Sequence, residues 1–320
     1  MLITGGAGFL GARLARQLLR RGQFAGQTID ELLVADLSAP PDDMAKDARV
    51  RALTGPLLAQ CAALSSAGID AVFHLAAAVS AECEADFDLG MRSNLDTTCA
   101  LLDALRAAGN VPRFIFASSL AVFGSDPGLN LPAVIREDTL PTPQSSYGVQ
   151  KFICEQLVAD YTRKGFIDGR NVRLMTVVVR PGRPNGAASG FLSGIIREPV
   201  NGMEAVCPVA PETRVALASP GRTIEGLIAV AEASREALVG RTAVNLPALT
   251  VSVGEMLAAL ESVAGAETRA RVRFQPDATI ARIVGGWPAV FDNARAERLG
   301  LKPDPDFASI VREFLLDHAK

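Results

Sequence analysis

Four glycines within seven positions, in the run Thr4-Gly5-Gly6-Ala7-Gly8-Phe9-Leu10-Gly11, follow a short apolar segment, Leu2-Ile3, and lead into an apolar pattern at helical spacing. A strand that turns through glycines straight into a helix is the opening of a dinucleotide-binding βαβ unit. Gly5 permits the tight turn, Gly8 lets backbone approach a pyrophosphate, and Gly11 brings helix and strand together. The helix N-terminus then offers unpaired N–H groups to the phosphates, with Ala7, Phe9 and Leu10 lining the same approach. Leu10, Leu14 and Leu18 place the helix at residues 10–21, and Gly22 supplies its stop.

Beyond this turn, short apolar runs alternate with amphipathic stretches, an order that specifies right-handed crossovers and a mainly parallel sheet. The expected fold is therefore α/β, a Rossmann doubly wound parallel sheet with a smaller, discontinuous C-terminal substrate lobe. Strands are expected at 2–4, 32–36, 49–53, 71–75, 114–117 and 172–179, and helices at 89–108 and 147–161. After Arg180 a cluster of prolines and glycines ends long periodicity. The expected division is 1–180 for the NAD-binding domain, completed by about 215–245, with 181–214 and 246–320 forming the substrate lobe. A helix at 223–238 and a strand near 243–245 would return to the main sheet, and helices at 253–264 and 307–318 would complete the lobe.

Asp36 closes the second strand, where a carboxylate can accept hydrogen bonds from both adenosine ribose hydroxyls and repel a 2′-phosphate. That favours NAD over NADP, although Asp36 could also simply cap a turn. Its interval from Gly11 is slightly long, and residues 22–27 read as a small loop insertion that accounts for the excess. His74-Leu75-Ala76-Ala77-Ala78 ends the fourth strand in small residues that suit close passage of backbone past the cofactor. His74 itself reads as a packed strand residue.

Tyr147 and Lys151 stand one helical turn apart, so both project from one helix face. A phenol ionises near pH 10 when unperturbed, but an adjacent ammonium and a positive nicotinamide both favour the phenolate. Tyr147 can then serve as general base. The strand at 114–117 runs into Ser118 and Ser119, at the carboxyl edge where doubly wound sheets collect their ligands.

Through TGGAGFLG, HLAA, Asn94, SSLAVFG, YGVQK and RPG, nearly the whole chain resembles the extended short-chain dehydrogenase/reductase family. The resemblance implies Ser119 as the residue that orients the substrate hydroxyl, Tyr147 as acid/base, and Lys151 as ribose-binding and pKa-lowering partner. It implies Asn94 as support for a proton relay, and adds Leu75, Ala76, Ala77, Asn94, Tyr147, Lys151 and Pro181 to the cofactor site. Ser118 remains open between a ligand and a structural cap. A homodimer, formed through a four-helix contact that includes the Tyr/Lys helix, is also implied.

Two departures narrow the substrate. Sugar-nucleotide dehydratases of this family place Asp and Glu directly after the catalytic hydroxyl residue, whereas Leu120 and Ala121 stand here, so the acid for water elimination is missing. The Arg-Asp-Phe/Tyr-x-His-Val-Asp segment common in sugar-nucleotide epimerases is also missing, its place taken by Arg214-Val215-Ala216-Leu217-Ala218-Ser219-Pro220-Gly221-Arg222. The stretch from Arg180 to Phe191 instead resembles a subgroup that oxidises the 2-hydroxyl of small sugar acids of the D-erythronate type. Such a substrate needs a cation for its carboxylate, and Arg183, Arg197 and Arg222 are candidates against a default of surface ion pairing. Ser80, Asn185 and Ser189, together with Ser119, could meet its hydroxyls. A nucleotide-sugar epimerase and a non-catalytic NAD-binding regulator remain as alternatives.

The remaining composition excludes other classes. Lys and Arg total 32 against 35 acidic residues, with no basic run that would track a phosphate backbone, so nucleic acid is not an expected partner. No apolar stretch has the length of a membrane span. Five scattered cysteines and only two histidines, His74 and His318, offer no metal-ligand spacing, and no metal is expected. With Met1 followed at once by the first strand, a cytoplasmic protein without a leader is the expectation.

Overall fold

The glycine run folds as its spacing demands. In the computed structural model, which describes residues 1–182 and 188–318, strand β1 (Leu2–Thr4) turns through Gly5, at φ +67°, into helix α1 (Phe9–Arg21). Helix α1 buries Ala12, Leu14, Ala15, Leu18 and Leu19, and it ends on Gly22 in the left-handed conformation, whose N–H donates to the Leu18 carbonyl. Full burial of Leu14 and Leu18 stabilises this docking by roughly 2 kcal/mol per side chain.

Strands β2 (Leu32–Asp36), β3 (Val50–Thr54), β4 (Ala71–His74), β5 (Arg113–Ser119), β6 (Asp168–Leu174) and β7 (Val244–Asn245) join β1 in one sheet, in the order β7-β6-β5-β4-β1-β2-β3. Ile3 lies between Val34 and Phe73 in parallel register, and Val72 pairs in parallel with Phe114. The order reverses at β1, between β4 and β2, which is the switch point beside which open parallel sheets bind ligands. Helices α2 (Thr97–Ala108) and α3 (Ser146–Arg163) contribute to a core of Leu101, Leu102, Leu105, Cys154 and Val158 packed with Val72, Phe114 and Phe116. The expected doubly wound architecture is what the sheet shows.

By its internal contacts the chain divides into two compact units, each assembled from three segments. The first comprises Met1–Val122, Ser145–Arg173 and Gly226–Val244, and the second Phe123–Gln144, Leu174–Glu225 and Asn245–Lys320. The second has its own core, in which Leu192, Ile195, Ile196, Leu257, Leu260 and Phe314 are buried together, and a three-stranded sheet of Thr176–Val177, Arg214–Ala218 and Leu249–Ser252.

Several elements depart from the sequence pattern. The apolar run at 172–179 is not one strand: β6 ends at Leu174, and Thr176–Val177 pairs in the other sheet. Nothing in a continuous β-branched run marks where a chain changes sheet. The helix expected at 89–108 begins with a turn at Phe87–Gly90 and widens into a π-helical stretch, Met91–Asp96, before α2. The helix expected at 223–238 is two, Pro220–Glu232 and Arg235–Leu238, because Ser234 caps the second by accepting the Ala237 N–H. Residues 22–27, read as a loop, largely form a small hairpin, Gln23–Phe24 with Gln27–Thr28, turning at Ala25 and Gly26 with positive φ. Among the described residues no helix is long and apolar enough to cross a membrane.

Candidate active site

At the cofactor end, backbone contact leaves no room for side chains. A Cβ on Gly11 would lie 2.0 Å from the Gly5 carbonyl oxygen, and one on Gly5 would lie 2.8 Å from the Ala76 nitrogen. The turn is thus clamped between the start of α1 and the loop after β4. Gly8 is the N-cap of α1 and is exposed, and no side chain caps the helix, so the first-turn N–H groups remain available to an anion. Asp36 Oδ2 accepts the Ala7 N–H at 3.0 Å and Oδ1 accepts the Ser38 N–H at 3.2 Å. A carboxylate offers about four lone-pair sites, so two hydroxyls can still be met there. An uncapped helix start, a turn made of glycine backbone and a carboxylate at the end of β2 fit the pyrophosphate and adenosine ribose of NAD.

At the chemical end, Ser145 caps α3 by accepting the Gly148 N–H at 3.1 Å, which sets the helix so that Tyr147 and Lys151 share a face. Lys151 is buried. Its Nζ donates to the Ala117 carbonyl at 2.8 Å, and lies 4.7 Å from the centre of the Phe116 ring and 5.6 Å from that of the Tyr147 ring. Burial pulls its pKa down to about 8. Ser119, at the end of β5, is half-buried and accepts the Ala121 N–H at 3.1 Å, which leaves its own proton to donate. Lys151, Tyr147 and the strand end bearing Ser119 are thereby brought together.

Ser118 takes the structural alternative. Its hydroxyl donates to Glu155 at 2.5 Å, and Glu155 receives two nitrogens of Arg173, at 2.9 and 2.7 Å, in a buried network that ties β5 to α3 and β6. Asn94 is buried in the π-helical stretch. Its Oδ1 accepts the Ala78 N–H at 2.8 Å, while Nδ2 donates to the Ala78 carbonyl at 3.2 Å and to Gln150 at 2.8 Å. The Asn94 side chain therefore fastens the loop after β4 to α3. Gln150 is a partner of Asn94 that the pattern does not disclose, since the two lie 56 positions apart. Leu75, Ala76 and Ala77 are half-buried in that loop, in keeping with the small-residue run.

Ser80 begins a short helix, Ser80–Ala85, and is half-buried. In the second unit, Arg197 is buried, donating to the Arg180 carbonyl at 2.7 Å and to Glu198 at 2.5 Å, and Arg180 donates to Ser189 at 3.2 Å. Arg222 forms an exposed pair with Glu225 at 2.7 Å. Pro181 is exposed, and Arg183 and Asn185 lie outside the described residues. Among the described residues no cluster of three His, Cys, Asp or Glu could hold a metal ion.

The fold and this geometry define a nicotinamide-dinucleotide oxidoreductase. The chain belongs to the NAD dependent epimerase/dehydratase family, whose model matches residues 1–214. It is 49% identical to a D-erythronate dehydrogenase of Cupriavidus necator, over 99% of this chain and 98% of that one. It is 42% identical to a D-erythronate dehydrogenase of Haemophilus influenzae, over 98% of each. Among solved structures, a nucleoside-diphosphate-sugar epimerase from Agrobacterium tumefaciens superposes with a TM-score of 0.93 at 40% identity, covering 99% of this chain and 94% of that one.

Proposed function

We propose that this enzyme oxidises the 2-hydroxyl of a small sugar acid of the D-erythronate type to the 2-oxo acid, with NAD as acceptor. The observation that carries the reading is the buried Lys151 ammonium, set beside the Tyr147 ring and bonded to the β5 end that bears Ser119, in a chain whose full-length relatives bear the name D-erythronate dehydrogenase. When bound, NAD supplies an oxidised nicotinamide ring that accepts a hydride. Ser119 donates to the substrate oxygen and holds it in place. Tyr147, made more acidic by the neighbouring ammonium, removes the hydroxyl proton as the carbonyl forms. Asn94 acts by holding the Ala78 loop and α3 in register.

In this reading the first unit binds NAD and the second recognises the acid. Arg183, Arg197 and Arg222 are the candidate carboxylate ligands, and Arg197 and Arg222 would have to exchange the carboxylate partners they carry. Asn185, Ser80 and Ser189 are assigned to the substrate hydroxyls. Val149 and Ile153, four apart on α3 and both exposed, give that helix an apolar face that supports a homodimer. The five free thiols are consistent with a cytoplasmic location.

The name borne by the Agrobacterium tumefaciens structure favours a second reading, a nucleotide-sugar epimerase. One assay separates the two. Purified enzyme with NAD and D-erythronate should accumulate NADH, seen by nicotinamide absorbance, whereas an epimerase returns its hydride and gives no net signal. A flat trace across four-carbon and six-carbon sugar acids overturns the dehydrogenase reading. Tyr147→Phe should lower turnover roughly 100- to 10,000-fold and keep NAD affinity.

A further inference from the structure

His74 lies in β4, buried between Phe114 and Phe116, whose ring centres are each 5.8 Å away. Both of its ring nitrogens are hydrogen-bonded, and the neighbours fix every proton. Thr98 Oγ1 lies 2.6 Å from the Asn94 carbonyl, which can only accept, so the Thr98 hydroxyl proton is committed there. His74 Nε2, 2.9 Å from the same hydroxyl oxygen, must therefore carry a proton and donate it. The imidazole is neutral, since burial pushes its pKa down to about 3, so Nδ1 is bare and accepts from the Thr4 hydroxyl at 2.7 Å. Thr4 Oγ1 in turn accepts the Ala76 N–H at 3.2 Å.

The result is one directed chain: Ala76 N–H to Thr4, Thr4 to His74, His74 to Thr98, and Thr98 to the Asn94 carbonyl. Its first link sits where Gly5 is pressed against the Ala76 backbone, beside the dinucleotide turn. Its last link holds the π-helical stretch that aims Asn94 at Ala78 and Gln150. We infer that His74 is a positioning residue that couples occupancy of the dinucleotide turn to the placement of Asn94, acting through a single fixed tautomer. Phe116 lies against both His74 and the Lys151 ammonium, so a neutral imidazole also keeps a second cation away from the catalytic helix.

Thr4 and Thr98 are bonded to opposite ring nitrogens of His74, which makes their coupling diagnostic. Thr4→Val and Thr98→Val each remove one hydroxyl at constant shape, and each should weaken NAD binding roughly 3- to 10-fold by calorimetry on the apoprotein. In the double variant the second change should add little, because the chain is already cut, whereas two losses that simply multiply overturn the coupling. Thr98→Val should also lower kcat more than it raises KM for the acid. A check on unmutated apoprotein uses imidazole nitrogen NMR, which should show a protonated Nε2 and a bare Nδ1 from about pH 5 to 8. The opposite tautomer, or titration within that range, overturns the assignment.

Discussion

The two edges of the main sheet treat buried cations in opposite ways. At the amino edge, Asp168 at the start of β6 receives Arg113 at 3.2 Å, Arg170 at 2.8 Å and Arg235, while Arg113 and Arg170 also bond the Ala231 carbonyl. Burial alone would raise the Asp168 pKa, but Arg170 and Arg235 outweigh it and hold the carboxyl below its usual range. At the carboxyl edge, Lys151 has a carbonyl and two aromatic rings where Arg170 has a carboxylate, and the Glu155 carboxylate on the same helix is committed to Arg173. A buried cation that already has a carboxylate partner is strongly destabilised when that partner alone is removed, so Arg170 depends on Asp168. Glu155 still favours the Lys151 ammonium, but burial outweighs it and pulls the pKa down.

The strongest challenge to this contrast is a pair of substitutions. Lys151→Met should lower turnover roughly 100- to 10,000-fold while leaving resistance to urea unchanged or improved, since a charge held against burial is removed. A large loss of stability would show that the ammonium is structural. Asp168→Asn should do the reverse, costing about 3 kcal/mol in urea unfolding and preserving kcat, because it leaves the buried Arg170 guanidinium without its carboxylate.

Stability against pH sharpens the comparison. The unfolded His74 imidazole takes up a proton near pH 6.5 and the folded one only near pH 3, so protons favour unfolding between those values. Stability should fall as pH drops from about 6.5 toward about 3, and His74→Phe should remove that part of the slope. Asp168 contributes stability that is complete above its unfolded pKa of 3.8 and is lost only below it. For Lys151 the unfolded chain binds more protons between about pH 8 and 10.5, so stability should rise across that range, and Lys151→Met should flatten it. The smallest effect belongs to the exposed Arg222 pair, where Arg222→Ala should change unfolding free energy by less than about 0.5 kcal/mol.

Features fixed by neighbours along the chain are legible in the sequence itself. Gly8 and Gly11 report backbone contact with Gly5 within one turn, and Tyr147 and Lys151 report one helix face. Asn94, Gln150 and His74 cannot be read the same way, because their partners come from other elements and from a π-helical stretch that has no composition of its own. Arginines are the hardest to sort. Arg173, Arg197 and Arg222 look alike in sequence, and only tertiary placement shows one in a bidentate clamp, one in a buried pair and one on the surface.

The way the chain is apportioned has a practical consequence for redesign. It passes from one unit to the other directly after Val122, three residues beyond Ser119, and does so again after Gln144, Arg173, Glu225 and Val244. Neither half can be expressed by trimming a terminus. Replacing the second unit on the first would require transplanting three separate segments through five junctions, one of them three residues from Ser119 in sequence.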